Sequence, residues 1–475
     1  MAAGDSANVS NAMSDAFLSA AETALAVFRG HRGGPLSPGT RFKRLTFRLD
    51  YDAYRRAKPY WILKDDNYSE EPDSERVDGL ALAHPAASKL EELHLECRRY
   101  SYEHRPRLES LPCAATLRLL ELTHCKLDPP SAWPARSAVL ALPRLTDLQL
   151  RDCVLSEGYL QVMLHAAPAL TSLVLVNVKR KTVKKADPND SFGRPFHLRC
   201  PTLTALELDT SGLYYSDSET QEELKVLVNR GIELDMPSLR SFCYRGFSVK
   251  LSLTSPAPGL ARVELDVSRY GQGREPPSRM LRSFSTTRAL KLCLGSIKDI
   301  VAGEEEEGGP ILPTFPNLEL LEVDGSYQYK KNDTAALGMA RLLGSCPVIG
   351  NGEAARLMPG DQTRRLHGFR LRRDGDGIGD TCHISELPAL RGCVLSCLRK
   401  ATLKFNSPEE LNCLEVQLAK FLVENAMALE EMHVDDGRQF WRTDHLCNNV
   451  ARWRADSFRR KNLPDTGVFR VKSHS

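Results

Sequence analysis

The sequence predicts an α/β leucine-rich-repeat solenoid, a curved parallel sheet with helices and irregular arches on its outer face. The first observation is a recurring phrase: a leucine, two variable residues, an apolar residue, one variable residue and another apolar residue. It runs Leu117, Leu120, Leu122 and, 28 positions later, Leu145, Leu148, Leu150. The second is that both copies continue to a cysteine at the same offset, Cys125 and Cys153, and then to Leu127 and Leu155. The third is proline. Pro143, Pro168, Pro201, Pro237, Pro258 and Pro316 each stand two residues before an opening leucine. Proline lacks an N–H and fixes φ, so it suits the entry to a strand and not its middle. A period of this length marks stacked repeats.

The copies open at Phe42, Leu90, Leu117, Leu145, Leu170, Leu203, Leu239, Leu260, Thr287, Leu318, Leu366, Leu398 and Leu429. Their mean spacing is roughly 32 residues, at the long end for such repeats. Each copy reads as a short strand whose alternate residues enter the core. Leu120 and Leu122 are therefore expected inside, with Leu119, Glu121 and Thr123 outside.

The connections follow in order. From Leu49 to Leu90 the chain is polar and irregular, with Asp65, Asp66, Glu70 and Glu71 close together, which reads as a surface excursion. Ser156 can cap a short helix carrying Leu160, Met163, Leu164 and Ala167 on one face. The basic run from Lys179 to Lys185 falls in the loop after the Leu170 strand, a solvated loop or a nuclear-import or phosphate-contacting patch. The acidic run Glu304 to Glu307 reads as a solvated loop. Thr334 can cap a segment holding Leu337, Leu342 and Leu343. From Val348 to Arg365 the register demands a strand, yet Gly350, Gly352, Pro359 and Gly360 supply turn chemistry, so this is an exposed insertion or a rewritten repeat. The phrase resumes at Leu366, Phe369 and Leu371. Ser407, Pro408 and Glu410 give an N-cap, a first-turn proline and a capping-box glutamate. The stripe Leu411, Leu414, Leu418, Phe421 and Leu422 then has helical period. The expected organisation is an N-terminal helical or flexible segment (1–40), a repeat solenoid (41–347), an irregular insertion (348–365), a degenerate repeat region (366–397) and a C-terminal module (398–475).

Composition narrows the function. With 64 basic and 61 acidic residues the formal charge is +3, close to neutral for 475 residues, so neither nucleic acid nor an anionic membrane is the expected partner. No stretch of 18 apolar residues would span a bilayer. The first 30 residues lack a basic n-region and carry Asp5, Asp15 and Glu22, unlike a secretory signal. The 13 cysteines are then expected as reduced, mostly buried thiols of an intracellular protein, cytoplasmic or nuclear. Cys125 and Cys153 occupy the repeat position at which a side chain bonds the loop backbone.

Candidate chemistry is sparse. Asp374, Asp376 and Asp380 fail the calcium-loop pattern, because the fifth position is Ile378 and the twelfth Ser385. Cys382, His383, Cys393 and Cys397 include no CxxC pair, and Cys393 sits at an interior phrase position. No phosphate loop, nucleophile elbow or paired metal-binding histidines appear. No catalytic residue, cofactor or metal ligand is therefore assigned. The expected working surface is the concave strand face, through Glu121, Asp147, Gln149, Arg151, Glu207, Asp209, Arg245, Glu322 and Asp324. Arginine commonly anchors interfaces, which singles out Arg151 and Arg245. The plainer reading of any one of these positions is simple solvation.

Several longer runs carry a family resemblance. They are Cys125–Pro130, Leu155–Leu160, Ala166–Leu173, Arg199–Leu206, Asp235–Ser241 and Phe315–Val323, together with Leu398–Phe405 and Asn425–Met432 near the end. Through them the chain resembles plant F-box/LRR/FBD proteins of the grass type over most of Phe42 to Val471, the last two runs looking like the FBD module. That resemblance implies a substrate-binding receptor of an SCF-type ubiquitin ligase, with an unnamed protein target. Residues 1–40 contain no Leu-Pro start of an F-box, and Phe17 to Arg32 looks like the helix that follows one. A Skp-type adaptor is implied only if an F-box lies upstream. The alternative is an F-box-less interaction or decoy protein with no ligase attachment.

Overall fold

The computed structural model describes residues 43–50, 88–98, 106–128, 140–156, 158–181, 196–211, 231–267, 276–300, 312–328, 338–339, 341–343, 345–346, 366–374, 400–405, 414–426, 429–435, 440–462 and 469–473. The expected Phe17–Arg32 helix, the 51–87 excursion, the charged runs 182–185 and 304–307, Thr334, Leu337 and the insertion 348–365 lie outside them. So do the turn beyond Asp374, the Cys382, His383, Cys393 and Cys397 group, the Ser407–Glu410 cap and Leu411. The chain forms two compact units, Met1–Leu224 with Asp235–Leu239, and Lys225–Leu234 with Arg240–Ser475.

In the first unit the strands Arg44–Asp50 (β1), Glu92–Arg98 (β2), Leu119–Thr123 (β3), Asp147–Arg151 (β5), Ser172–Val176 (β7) and Ala205–Asp209 (β10) pair in parallel in that order. Numbers follow the chain; β4, β6 and β8 are the short strands Lys126–Leu127, Val154–Ser156 and Lys179–Lys181, and β9 is Phe196–Arg199. Register stacks the phrase on itself. Leu93, Leu120, Leu148, Leu173 and Leu206 form one row, and Leu95, Leu122, Leu150, Leu175 and Leu208 the next. All ten are buried, and the opening leucines Leu90, Leu117, Leu145, Leu170 and Leu203 add a third row at 0% exposure. Burying one such side chain contributes about 1.5–3 kcal/mol, so three rows are the principal stabilising feature of the unit.

The prolines act one step earlier than strand entry. Leu145 N–H donates to Leu142 O at 3.1 Å, Leu170 N–H to Ala167 O at 3.1 Å and Leu203 N–H to Cys200 O at 3.2 Å. These are four-residue turns with Pro143, Pro168 and Pro201 at the second position, where a fixed φ near −65° is already correct. The strand exits carry a second device that the sequence pattern did not reveal. His124, Asp152 and Asn177 adopt φ of 56°, 50° and 51°. Their N–H groups donate to Arg151 O, Val176 O and Asp209 O on the following strand, at 2.9, 2.7 and 2.6 Å. Asn, Asp and His are the residues that tolerate this left-handed backbone best after glycine.

The two repeat cysteines bond the loop backbone as expected. Cys125 Sγ donates to Thr123 O at 3.5 Å, and Cys153 Sγ lies 3.3 Å from both Leu122 O and Arg151 O. All nine cysteines among the described residues are free, six of them buried. Two local readings change. Ser156 ends β6 rather than capping the next helix; Gly158, at φ 80°, occupies the cap of Tyr159–Ala166 (α1) with no side-chain capping bond. Leu160, Met163, Leu164 and Ala167 are nevertheless buried as the period requires. Lys179–Lys181 is a strand paired with β6, not a loop.

In the second unit, residues Ile232–Leu234 of the strand Ile232–Asp235 (β11) pair with Leu251–Leu253 (β13). Its main ladder is Ser241–Arg245 (β12), Arg262–Val267 (β14), Ala289–Leu294 (β15), Leu320–Gln328 (β16), Leu366–Asp374 (β17), Lys400–Phe405 (β18), Glu431–Asp435 (β19) and Arg470–Ser473 (β20), all parallel. The helices are Pro277–Arg282 (α2), Leu414–Asn425 (α3) and Phe440–Arg460 (α4). Leu342, Leu343, Leu418 and Leu422 are buried as expected, while Phe421 is half-buried.

One register differs from the phrase. Phe369 pairs with Val323 and Leu403, the sixth positions of the neighbouring copies, although it is the fourth position of its own. The copy at Leu366 is thus displaced by two residues. A slip of two preserves strand parity, so the apolar alternation cannot distinguish the two registers. The strand β20 and the 21-residue helix α4 were also not anticipated.

Candidate recognition surface

In β3, β5, β7, β10, β12 and β15 alternation leaves every second residue on a half-buried outward face. In the first unit β3 presents Leu119, Glu121 and Thr123, β5 presents Asp147, Gln149 and Arg151, and β10 presents Ala205, Glu207 and Asp209. Register aligns Glu121, Gln149, Val174 and Glu207 in one row and Thr123, Arg151, Val176 and Asp209 in the next. All nine surface residues expected from the sequence occupy outward positions of their strands.

They are not all in one place. Glu121, Gln149 and Arg151 meet: Arg151 Nε lies 3.7 Å from Glu121 Oε1, and Arg151 Nη2 donates to Gln149 Oε1 at 3.3 Å. Glu121 also faces His94, whose Nδ1 is 2.6 Å from Glu121 Oε2, and His94 Nε2 is 3.8 Å from Glu92 Oε2. Asp147 accepts from Thr146 Oγ1 at 2.7 Å, and Asp209 accepts from Ser211 N–H at 2.8 Å. Arg245, Glu322 and Asp324 belong to the second unit. There Glu264 gathers cations, with Lys291 Nζ at 3.0 Å, Arg262 at 3.8 Å and Arg245 at 4.0 Å. Glu322 and Asp324 stand beside Lys291 and Cys293 on the next strand.

His94, Glu264 and Lys291 were overlooked, as were the outward valines Val174 and Val176. Each lies four or six residues after an opening residue, so counting the offset in every copy would have found them. Arg151 and its partners are 39% and 29% exposed at the ion pair, and such pairs contribute little. Arg151→Ala is therefore expected to change stability by less than about 1 kcal/mol, measured by urea unfolding.

Two thiols among the described residues are shifted away from the reactive thiolate form. Cys293 shares the outward face of β15, yet burial and then the Asp266 carboxylate push its thiol up to about 12, far from thiolate at neutral pH. The Cys125 thiol is held well above the usual range by the adjacent thiols of Cys153 and Cys97 and by burial. Among the described residues no cluster of His, Cys, Asp or Glu has metal-binding geometry, and no helix is long and apolar enough to cross a membrane.

Against this geometry, residues 80–187, the stretch that holds β2 to β8, match the family model of the LRR repeats of FBD-associated F-box protein At5g56370. Among curated proteins none matches the chain. The chain is an α/β leucine-rich-repeat solenoid whose repeats over that stretch are similar to those of an F-box-associated family.

Proposed function

We propose that this chain is a noncatalytic protein-recognition solenoid, the substrate-binding part of an SCF-type F-box ubiquitin-ligase receptor or a truncated relative of one. The observation that carries the reading is the division of labour within each strand. One side is a continuous leucine core, and the other is a periodic grid of charged and polar side chains held in register by the backbone. Such a grid is rigid, extended and chemically varied, as a protein-binding face requires. The similarity to repeats of an F-box protein supports attachment to a ligase. The ladder from β18 to β20 with α3 and α4 would be the FBD module of such a protein. Its working compartment would be the cytoplasm or nucleus.

The experiment is affinity capture from plant extract with the full chain and with an Arg151→Ala, Arg245→Ala variant. A set of specific partners that changes in the variant, by gain or loss, at unchanged folded content, is the expected result. A partner profile identical for both proteins would count against the strand face. Binding to a purified Skp-type adaptor, measured in parallel, separates a ligase receptor from a decoy that has no ligase attachment.

A further inference from the structure

Two independent features set the outward face of β2 to β10 apart. The first is charge. Its strand positions carry six carboxylates, Glu92, Glu96, Glu121, Asp147, Glu207 and Asp209, against two arginines, Arg98 and Arg151, in a chain whose formal charge is +3. Arg151 itself is engaged by Glu121 and Gln149. The second is an apolar step. On β7 the outward positions are Ser172, Val174 and Val176, and the two half-buried valines make the second half of this strand apolar on both sides. In register beside them stand Gln149 and Arg151 on β5, and Glu207 and Asp209 on β10. A ligand lying over the valines would have carboxylates of β10 within one strand spacing, about 5 Å, and those of β3 two spacings away on the other side.

We infer that this face takes a basic protein segment that seats an aliphatic or aromatic side chain on Val174 and Val176. Its lysines or arginines would reach Glu207 and Asp209 on one side and Glu121 and Asp147 on the other. Phosphate-bearing ligands and acidic peptides would meet repulsion from the same carboxylates. The inference rests on the recognition reading above and names the chemistry of its partner. A central apolar anchor ringed by charge is the arrangement in which a few residues dominate binding, while the charges set specificity and salt dependence.

The test uses the full chain and three labelled peptides of about ten residues: alternating Arg and Leu, alternating Glu and Leu, and alternating Arg and Ser. Fluorescence anisotropy should show the Arg–Leu peptide binding best. Its affinity should fall by roughly tenfold or more between about 50 and about 300 mM salt, as screening predicts. Val174→Thr with Val176→Thr keeps strand-forming residues and should weaken the Arg–Leu peptide about fivefold or more, leaving the Arg–Ser peptide unchanged. Glu121→Gln with Glu207→Gln should weaken both basic peptides. Circular dichroism and melting temperature of each variant establish that it is folded. Equal or tighter binding of the Glu–Leu peptide overturns the inference, as does indifference of the Arg–Leu peptide to both variants. Either outcome leaves the capture experiment free to support a recognition role for the strand face with another partner.

Discussion

Arg454→Ala is expected to destabilise the second unit by on the order of 3–5 kcal/mol, more than any surface change proposed above. The last four carbonyls of a helix have no partner within it, and a helix end that is buried must find them elsewhere. At the end of α3 the partners come from α4. Arg454 Nη1 donates to Val423 O at 2.9 Å and Ala426 O at 2.6 Å, and Nη2 donates to Leu429 O at 3.2 Å. Ser457 Oγ donates to Glu424 O at 2.7 Å, with Lys461 Nζ at the same distance. Arg454 is only 6% exposed, and its guanidinium lies 4.5 Å from the Phe458 ring and 5.3 Å from Phe469, which adds a cation–π contribution. Alanine would take a donor from three buried acceptors at once, leaving Ala426 O with the Leu429 N–H alone, and remove the packing of the arginine stem. Lysine keeps the charge but is a point donor without a planar fork, so Arg454→Lys should recover less than half of the loss. Arg452→Ala, two residues away on the exposed side of α4, should stay within about 0.5 kcal/mol. Because two units need not unfold together, the readout is amide hydrogen exchange in α3, α4 and β19 alongside urea unfolding. An Arg454→Ala protein with exchange in α3 indistinguishable from the parent would sink the assignment.

That arginine also marks where the sequence stopped being legible. The repeats were readable because Leu120, Leu148 and Leu173 recur on one side of a strand, and a two-residue period leaves no choice about which side is buried. The nine outward residues followed from the same parity. Parity could not fix the displaced copy at β17, since registers two residues apart are equally apolar. Nor could it find α4, whose sequence is dominated by arginine and other polar residues and whose buried contribution includes Val450, Arg454 and Ser457. A buried arginine is read by default as a solvated one, because its value comes from acceptors roughly 25 to 31 residues away along the chain, which no local pattern encodes. The turn role of the prolines and the left-handed exits at His124, Asp152 and Asn177 were likewise hidden, being properties of the backbone rather than of hydropathy. On the recognition face, Val174 and Val176 were hidden for a different reason: in the run Ser172–Val176 outward valines look like further core residues.

Phe284→Ala carries a comparable penalty, on the order of 3–5 kcal/mol, and tests how the second unit compensates where its repeat departs from leucine. The copy after α2 opens on Thr287 instead of a leucine. Thr287 is fully buried, and its hydroxyl is satisfied by Ala261 O at 3.2 Å and Ala289 O at 3.1 Å, so the polar atom costs little. Threonine nevertheless supplies less apolar volume than leucine. Three residues earlier Phe284, at 0% exposure, stacks on Phe242 of β12 with ring centroids 5.2 Å apart and planes 24° from parallel. Its N–H bonds Leu281 O and its own carbonyl accepts from Thr287 N–H, which fixes the ring between the end of α2 and the start of β15. Truncation to alanine would open a cavity that the paired backbone on both sides prevents from collapsing. Phe284→Leu should cost about 1–1.5 kcal/mol, since volume is largely kept and only the stacking geometry is lost. A double-mutant cycle with Phe242→Leu should give a coupling of roughly 0.5–1.5 kcal/mol, the range for an aromatic pair. In a solenoid each coil leans mainly on its neighbours, so hydrogen exchange should rise first in β12, β14 and β15 while β2, β3 and β5 keep their protection. A loss shared equally by both units, or a Phe284→Ala penalty under about 1 kcal/mol, would show that the stacked rings are not what replaces the missing leucine.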